Sequence, residues 1–152
     1  ANTASMGVAL SPCIIPEVGK AGFTIAEDEI EVGMGIHGEK GIELRKMMTA
    51  DEIADTLLDR LLAELAPKRG DRVSVMVNGL GATPLEEQLI VFRRVKQRLD
   101  ALDVESVMPH VGNFATSMEM AGLSITVMKL DDELEALLRA PASTPFYTNA
   151  NK

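Results

Sequence analysis

His37 is one of two histidines in the chain and stands where an imidazole can do chemistry, with Gly35 and Gly38 close on either side. Near neutral pH an uncharged ring nitrogen is a base or a nucleophile, and glycine neighbours let a ligand approach the backbone closely. In Glu29-Ile30-Glu31-Val32-Gly33-Met34-Gly35-Ile36-His37 the apolar side chains occupy positions 30, 32, 34 and 36. A strand with that alternation turns residues 29, 31, 33, 35 and 37 to the opposite face, so His37 points away from the apolar side. A solitary histidine can equally be structural; the parity keeps the functional reading open. Of the neighbouring carboxylates, Glu29 and Glu31 are expected on a solvated strand face. Glu39, nearer the imidazole, is a candidate to orient the ring or take a proton.

Other residue groups carry weaker signals. Asn78-Gly79-Leu80-Gly81-Ala82-Thr83 joins a strand to a helix start, where free amides can receive a phosphate, yet it is neither a Walker A loop nor GxGxxG. A tight turn before a capped helix is the preferred account. Asp131-Asp132-Glu133 has the oxygen ligands of a divalent-metal site, but acidic residues ordinarily open helices, and no metal is expected. His110 has no second ligand at metal spacing and reads as incidental. Cys13, among apolar residues, reads as a small hydrophobe rather than a nucleophile. The nine methionines are dispersed and read as core or interface residues.

The elements that must position these groups alternate. Met6 to Pro16 reads as a strand entering a proline-cut loop, and 29–37 as a second strand followed by the turn 38–41. Thr49 with Glu52 makes a capping box, and Ile53, Leu57, Leu58, Leu61, Leu62 and Leu65 hold helical spacing to about Pro67. Residues 72–77 form an apolar strand. Thr83 then caps a helix with Pro84 at its first position and Glu86 closing a second capping box, its apolar stripe being Leu85, Leu89, Phe92, Val95, Leu99 and Leu102. Val104 to Val111 reads as a strand, 116–121 as a short helix, 123–128 as a strand and 131–140 as a last helix. This order predicts a layered α/β domain, its sheet mixed or mostly parallel and flanked by helices.

A chain of 152 residues with 46% apolar residues can bury one core and is read as a single domain, 1–152. The net charge of −8, without any Lys/Arg cluster, excludes nucleic acid and anionic membrane as expected partners. One cysteine forms no internal disulfide, and no apolar run nears the roughly 18 residues of a membrane span. A cytoplasmic location is expected.

Glu29 to Gly41, EIEVGMGIHGEKG, resembles the substrate-histidine motif of the dihydroxyacetone kinase K subunit. GVALSPCIIPEVGK at 7–20, VNGLGATPLEE at 77–87, VGNFATSMEMAGLSIT at 111–126 and KLDDELEALLRAP at 129–141 resemble the same family in the same order. Where the family motif usually has proline this chain has Lys40, a change in the turn after the histidine. The resemblance implies the carboxy-terminal α/β domain of a two-domain K subunit, with His37 adding to the carbonyl carbon of dihydroxyacetone as a reversible hemiaminal. It implies that the amino-terminal domain, absent here, carries a Gly-Gly-Ser-Gly-His loop and an Asp, so this chain alone is expected to be inactive. The phosphoryl donor, ATP-Mg or a phosphotransferase-system carrier, is expected on a separate L domain or subunit, and the assembly is expected to be a homodimer. A ketone-sensing co-regulator and a kinase for another short keto or aldo sugar are the alternative functions.

Overall fold

The computed structural model describes residues 2–21, 23–34 and 41–150. The main strands are β1 (Thr3–Ala9), β4 (Glu29–Val32), β5 (Glu43–Lys46), β6 (Arg72–Gly79), β7 (Glu105–Ser106), β8 (His110–Gly112) and β9 (Gly122–Leu130). Two small hairpins, β2 (Ile14–Ile15) with β3 (Lys20–Ala21) and β10 (Ala142–Ser143) with β11 (Thr148–Asn149), lie outside this sheet. The helices are α1 (Ala50–Leu65), α2 (Leu85–Ala101) and α3 (Asp132–Arg139).

The seven main strands form one mixed sheet in the order β5-β4-β1-β9-β6-β7, with β8 also paired to β6. Only β7 and β8 run parallel to their neighbour; the other pairs are antiparallel. The expected strand 104–111 is broken in two. Met108 adopts φ +48 ahead of Pro109, so β7 pairs with the start of β6 and β8 with its end.

Period-two patterning sorts the sheet into two faces. Val8, Ile30, Val32, Val73, Val75, Val77, Leu123, Ile125 and Val127 pack with Ile53, Leu57, Leu58, Leu61, Val91, Val95 and Leu99 of α1 and α2 in one core. The alternate positions carry Ser5, Gly7, Met76, Asn78, Ser124 and Thr126, which line a groove of about 360 Å³ together with Met6, Gly33, Met34 and Ala115. Ser5 and Thr126, directly opposite on β1 and β9, share a 2.6 Å hydroxyl hydrogen bond there.

The capping box of α1 forms as expected: Glu52 N–H donates to Thr49 Oγ1 and Thr49 N–H to the Glu52 carboxylate. The second one does not. Pro84 is the N-cap of α2 without a side-chain cap, because the Thr83 hydroxyl instead donates to Gly122 O and accepts from Gly122 N–H, both at 2.8 Å. The buried stripe of α2 is Gln88, Val91, Val95 and Leu99, whereas Leu85, Leu89 and Leu102 are exposed. No helix forms at 116–121, where the chain turns through Met118 at φ +52 and bridges Met120 to Gly81. Among the described residues no helix is long and apolar enough to cross a membrane.

Charge clasps the outer sides of α1 and α2. Asp55 accepts from Arg94 Nη2 at 2.7 Å and Arg98 Nη1 at 2.7 Å, and Arg98 reaches Asp59 as well. The hydrogen bond from Arg94, then that from Arg98, holds the Asp55 carboxyl below its ordinary range. A depressed carboxyl stabilises the fold above the unfolded pKa of about 4, and that contribution is lost as pH falls further. Asp55→Asn is therefore expected to cost about 1 kcal/mol at neutral pH and to flatten the loss of stability below about pH 4, as read from urea unfolding at several pH values. Asn78 is a second test. Its buried side chain accepts from Phe114 N–H and Ala115 N–H and donates to Ala115 O. Asn78→Ala orphans these groups and is expected to cost about 2 to 3 kcal/mol in the same assay.

Candidate functional site

β4 and β5 form a hairpin in which Val32 opposes Glu43, and 33–42 is its connection. His37, Glu39 and Lys40 lie in this connection and fall outside the described residues. Its two flanks are described in detail. Regular strand geometry ends at Val32, and Gly33 takes φ +83, so the alternation expected over 29–37 is broken at Gly33.

Gly33 satisfies two constraints at once. Its N–H donates to Gly7 O at 2.7 Å, and a Cβ there would stand 2.7 Å from Ile42 Cγ1 in a conformation unfavourable for L side chains. Met34 follows and is buried with Ala9, Leu80 and Met120 in a second small core, against which Cys13, Phe23 and Ile25 pack. Cys13 is thus a half-buried packing residue, with the Ser117 hydroxyl 3.6 Å from its sulfur.

The returning flank is fastened by a carboxylate. Gly41 N–H donates to Glu31 Oε1 at 2.7 Å, and Ile42 N–H donates to Val32 O at 2.8 Å. Glu31 is only 7% exposed, which corrects the expectation of a solvated strand face. Burying a carboxylate costs free energy unless a donor meets it, and the Gly41 amide is such a donor. Glu29 is partly exposed beside Lys46, at 3.7 Å. At the hairpin's other end Lys46 also pairs with Asp28 at 2.6 Å and holds that carboxyl below its usual range.

The connection thus leaves the sheet beside the groove, since Gly33 and Met34 belong to its lining. Its lining is mostly apolar, with Met6, Met34 and Met76 among Gly7, Gly33 and Ala115, and the hydroxyls of Ser5, Ser124 and Thr126 are set among them, Ser5 bonded to Thr126 and Ser124 accepting from Asn78.

The remaining candidates resolve into structure. In the turn 78–83, Leu80 N–H donates to Gly122 O and Ala82 N–H to Met120 O. Gly81 lies so close to residue 118 that a Cβ would meet Met118 O at 1.8 Å. Amides committed to the neighbouring loop form no phosphate cradle, which favours the tight-turn account. Asp131 caps α3 by accepting from Leu134 N–H at 2.8 Å, and Asp132 pairs with Arg72 at 2.6 Å. Among the described residues no group of three or more potential ligands is arranged to hold a metal. His110 Nε2 is 2.8 Å from Tyr147 Oη and its ring meets Phe114 edge-on, so this imidazole already has partners.

Sequence reasoning missed the bond between Glu31 and Gly41. The pair of glycines bracketing the segment, Gly33 and Gly41, was the available signal, because glycines at both ends of a connection mark close backbone approach.

Residues 1–146 match the Dak1 domain. Over 147 residues, 97% of this chain, the sequence is 48% identical to the PTS-dependent dihydroxyacetone kinase 2, dihydroxyacetone-binding subunit DhaK, of Listeria innocua, of which 44% is covered. It is 46% identical to the L-erythrulose kinase of Pectobacterium atrosepticum over 96% of this chain and 25% of that protein. Among solved structures, the dihydroxyacetone kinase operon co-activator Dha-DhaQ superposes with a TM-score of 0.84 at 33% identity, over 98% of this chain and 45% of that one. The chain spans less than half the length of these relatives. By a match that runs through nearly all of its residues, the chain belongs to the Dak1 domain family.

Proposed function

We propose that this chain is the part of a dihydroxyacetone kinase that holds the ketone, with His37 as the covalent handle. The observation that carries the reading is the 48% identity to a dihydroxyacetone-binding kinase subunit along 97% of the chain, together with a motif around His37 that resembles that family's substrate histidine. The lone pair of a neutral ring nitrogen attacks the carbonyl carbon and the carbonyl π pair moves onto oxygen. The proton of the other ring nitrogen balances the charge as that oxygen becomes a hydroxyl. Such capture selects ketones and aldehydes over polyols, which lack an electrophilic carbon. It also fixes a terminal hydroxyl for in-line phosphoryl transfer, a reaction that depends mainly on positioning and charge stabilisation.

Within this reading the chain is the carboxy-terminal domain of a K subunit and phosphorylates nothing by itself. The amino-terminal domain supplies hydrogen bonding and proton transfer. The donor, ATP-Mg or a phosphotransferase carrier, sits on a separate L domain or subunit, and the K subunit works as a homodimer. Two findings favour neighbouring readings: the erythrulose kinase is nearly as similar as the dihydroxyacetone-binding subunit, and the co-activator shares the fold at 33% identity. In both, a carbonyl-reading His37 would do the same chemistry on a related ketone or for a sensing purpose.

The discriminating experiment adds dihydroxyacetone or erythrulose, carbon-13 labelled at the carbonyl, to the chain alone and to the chain joined to the amino-terminal domain. A tetrahedral-carbon NMR signal that vanishes in His37→Ala is expected, with phosphorylation in the joined protein falling at least about 100-fold in that variant. An adduct without any phosphorylation in the presence of donor components would favour the co-regulator. A stronger signal from erythrulose would reassign the substrate, and an unchanged signal in His37→Ala would remove the histidine from the reaction.

A further inference from the structure

We propose that the outer edge of β5 docks a second copy of this chain, the two β5 strands pairing antiparallel about a two-fold axis that passes at Leu44, normal to the sheet. The inference rests on the homodimer of the reading above and gives it an interface. β5 is the last strand of the main sheet, paired with β4 on one side, and among the described residues no strand pairs with its other side. An open edge offers free N–H and C=O groups to any strand that fits it. The opposite end of the sheet offers less, because β7 and β8 have only two and three residues, with Pro109 between them. Exposed apolar side chains also gather at β5: Ile42 is 56% exposed, Leu44 58% and Met47 47%.

The edge read against itself selects a second copy over any other partner. The strand runs Ile42-Glu43-Leu44-Arg45-Lys46. Antiparallel pairing centred on Leu44 sets Glu43 opposite Arg45 of the second copy, Arg45 opposite its Glu43, Leu44 opposite Leu44, and Ile42 against the aliphatic stem of Lys46. The two-fold symmetry forms each charge pair twice. Moving the axis by one residue opposes Glu43 to Glu43 or Arg45 to Arg45, so like charges disfavour both neighbouring registers. The charged groups are already arranged within one chain: Arg60 Nη2 of α1 donates to Glu43 Oε1 at 2.8 Å, and Arg45 Nη2 lies 2.7 Å from the same oxygen. Charges that only guarded the edge against association would meet their own kind across such an axis; these meet their opposites.

The test is sedimentation equilibrium of the chain and its variants, with urea unfolding to check that each variant is folded. The unaltered chain is expected to dimerise. Glu43→Arg and Arg45→Glu each oppose like charges at two symmetric positions and are expected to weaken the dimer at least about tenfold. An equimolar mixture of these two variants restores opposite charges at both positions, so heterodimer of close to the original strength is expected from proteins that pair poorly on their own. Leu44→Lys changes a 58% exposed position, keeps the Glu43 contact with Arg60 and brings two lysines together at the axis. It is expected to weaken the dimer as much, and it decides the matter where a charge-reversed variant does not fold. Dimers of undiminished strength in Leu44→Lys, or no recovery in the mixture of folded variants, would overturn the proposal and place the second copy on another surface. An unaltered chain that stays monomeric up to about 1 mM would overturn this interface and the homodimer of the reading above together, while the carbon-13 adduct would still report on the ketone part of that reading.

Discussion

The nine residues of β9 hydrogen-bond along both edges, to β1 on one side and β6 on the other, and every other part of the molecule is placed relative to that triple ladder. Its odd positions, Leu123, Ile125 and Val127, are buried under the two long helices, and its even positions, Ser124 and Thr126, open to the groove. Because side chains alternate strictly along a strand, a slip of one residue would exchange these two sets and put hydroxyls into the core. The apolar face thereby forces the polar face into existence. Thr83 and Leu80 attach the start of α2 to the first residue of β9, through Gly122, which ties the helical layer to the same register.

On that frame the β4–β5 hairpin lies at the sheet's edge, paired to the other strands through β1 while Ile30 and Val32 pack into the main core and Arg60 of α1 bonds Glu43. Its connection nevertheless has well-defined roots. Gly33 meets β1 through Gly7, and Met34 is buried beside Ala9 and Met120, so the departure point belongs to the rigid part of the fold. The return point is held by Gly41 on the Glu31 carboxylate and by Ile42 on Val32. The groove beside Gly33 and Met34 is mostly apolar, with a few hydroxyls and one amide and no charged residue in its lining.

Much of the architecture was legible in the sequence because it rests on local chemistry. The capping box at Thr49 and Glu52, the apolar stretch of β6 and the alternation of β9 each report their element directly. The failures share a physical cause, namely long-range partners that compete with local signals. Thr83 and Glu86 have the spacing of a capping box, but Gly122 lies 39 residues away in sequence and takes the threonine hydroxyl. The stripe of α2 was misread because Gln88, polar yet buried, bonds Thr83 O and Asn113 Oδ1, while Leu85 and Leu89 face outward. Strand parity failed at Gly33, where a left-handed residue ends the alternation, and a short strand β5 of charged residues offered no apolar pattern to find. The candidate residue His37 was legible as a histidine between glycines. Glu31 looked like surface, since nothing in the sequence says that the chain folds Gly41 back onto its carboxylate.

The most direct measurement of the central claim is the one-bond coupling between carbon-13 in the ketone carbonyl and nitrogen-15 in labelled histidine rings. With only two histidines in the chain, and the His110 ring hydrogen-bonded to Tyr147, the assignment is unambiguous. The account predicts that the tetrahedral carbon of bound dihydroxyacetone is split by a single ring nitrogen, that of His37, and that the splitting persists in His110→Gln. A tetrahedral carbon without nitrogen coupling, or bound ketone whose carbonyl carbon stays trigonal, would contradict it.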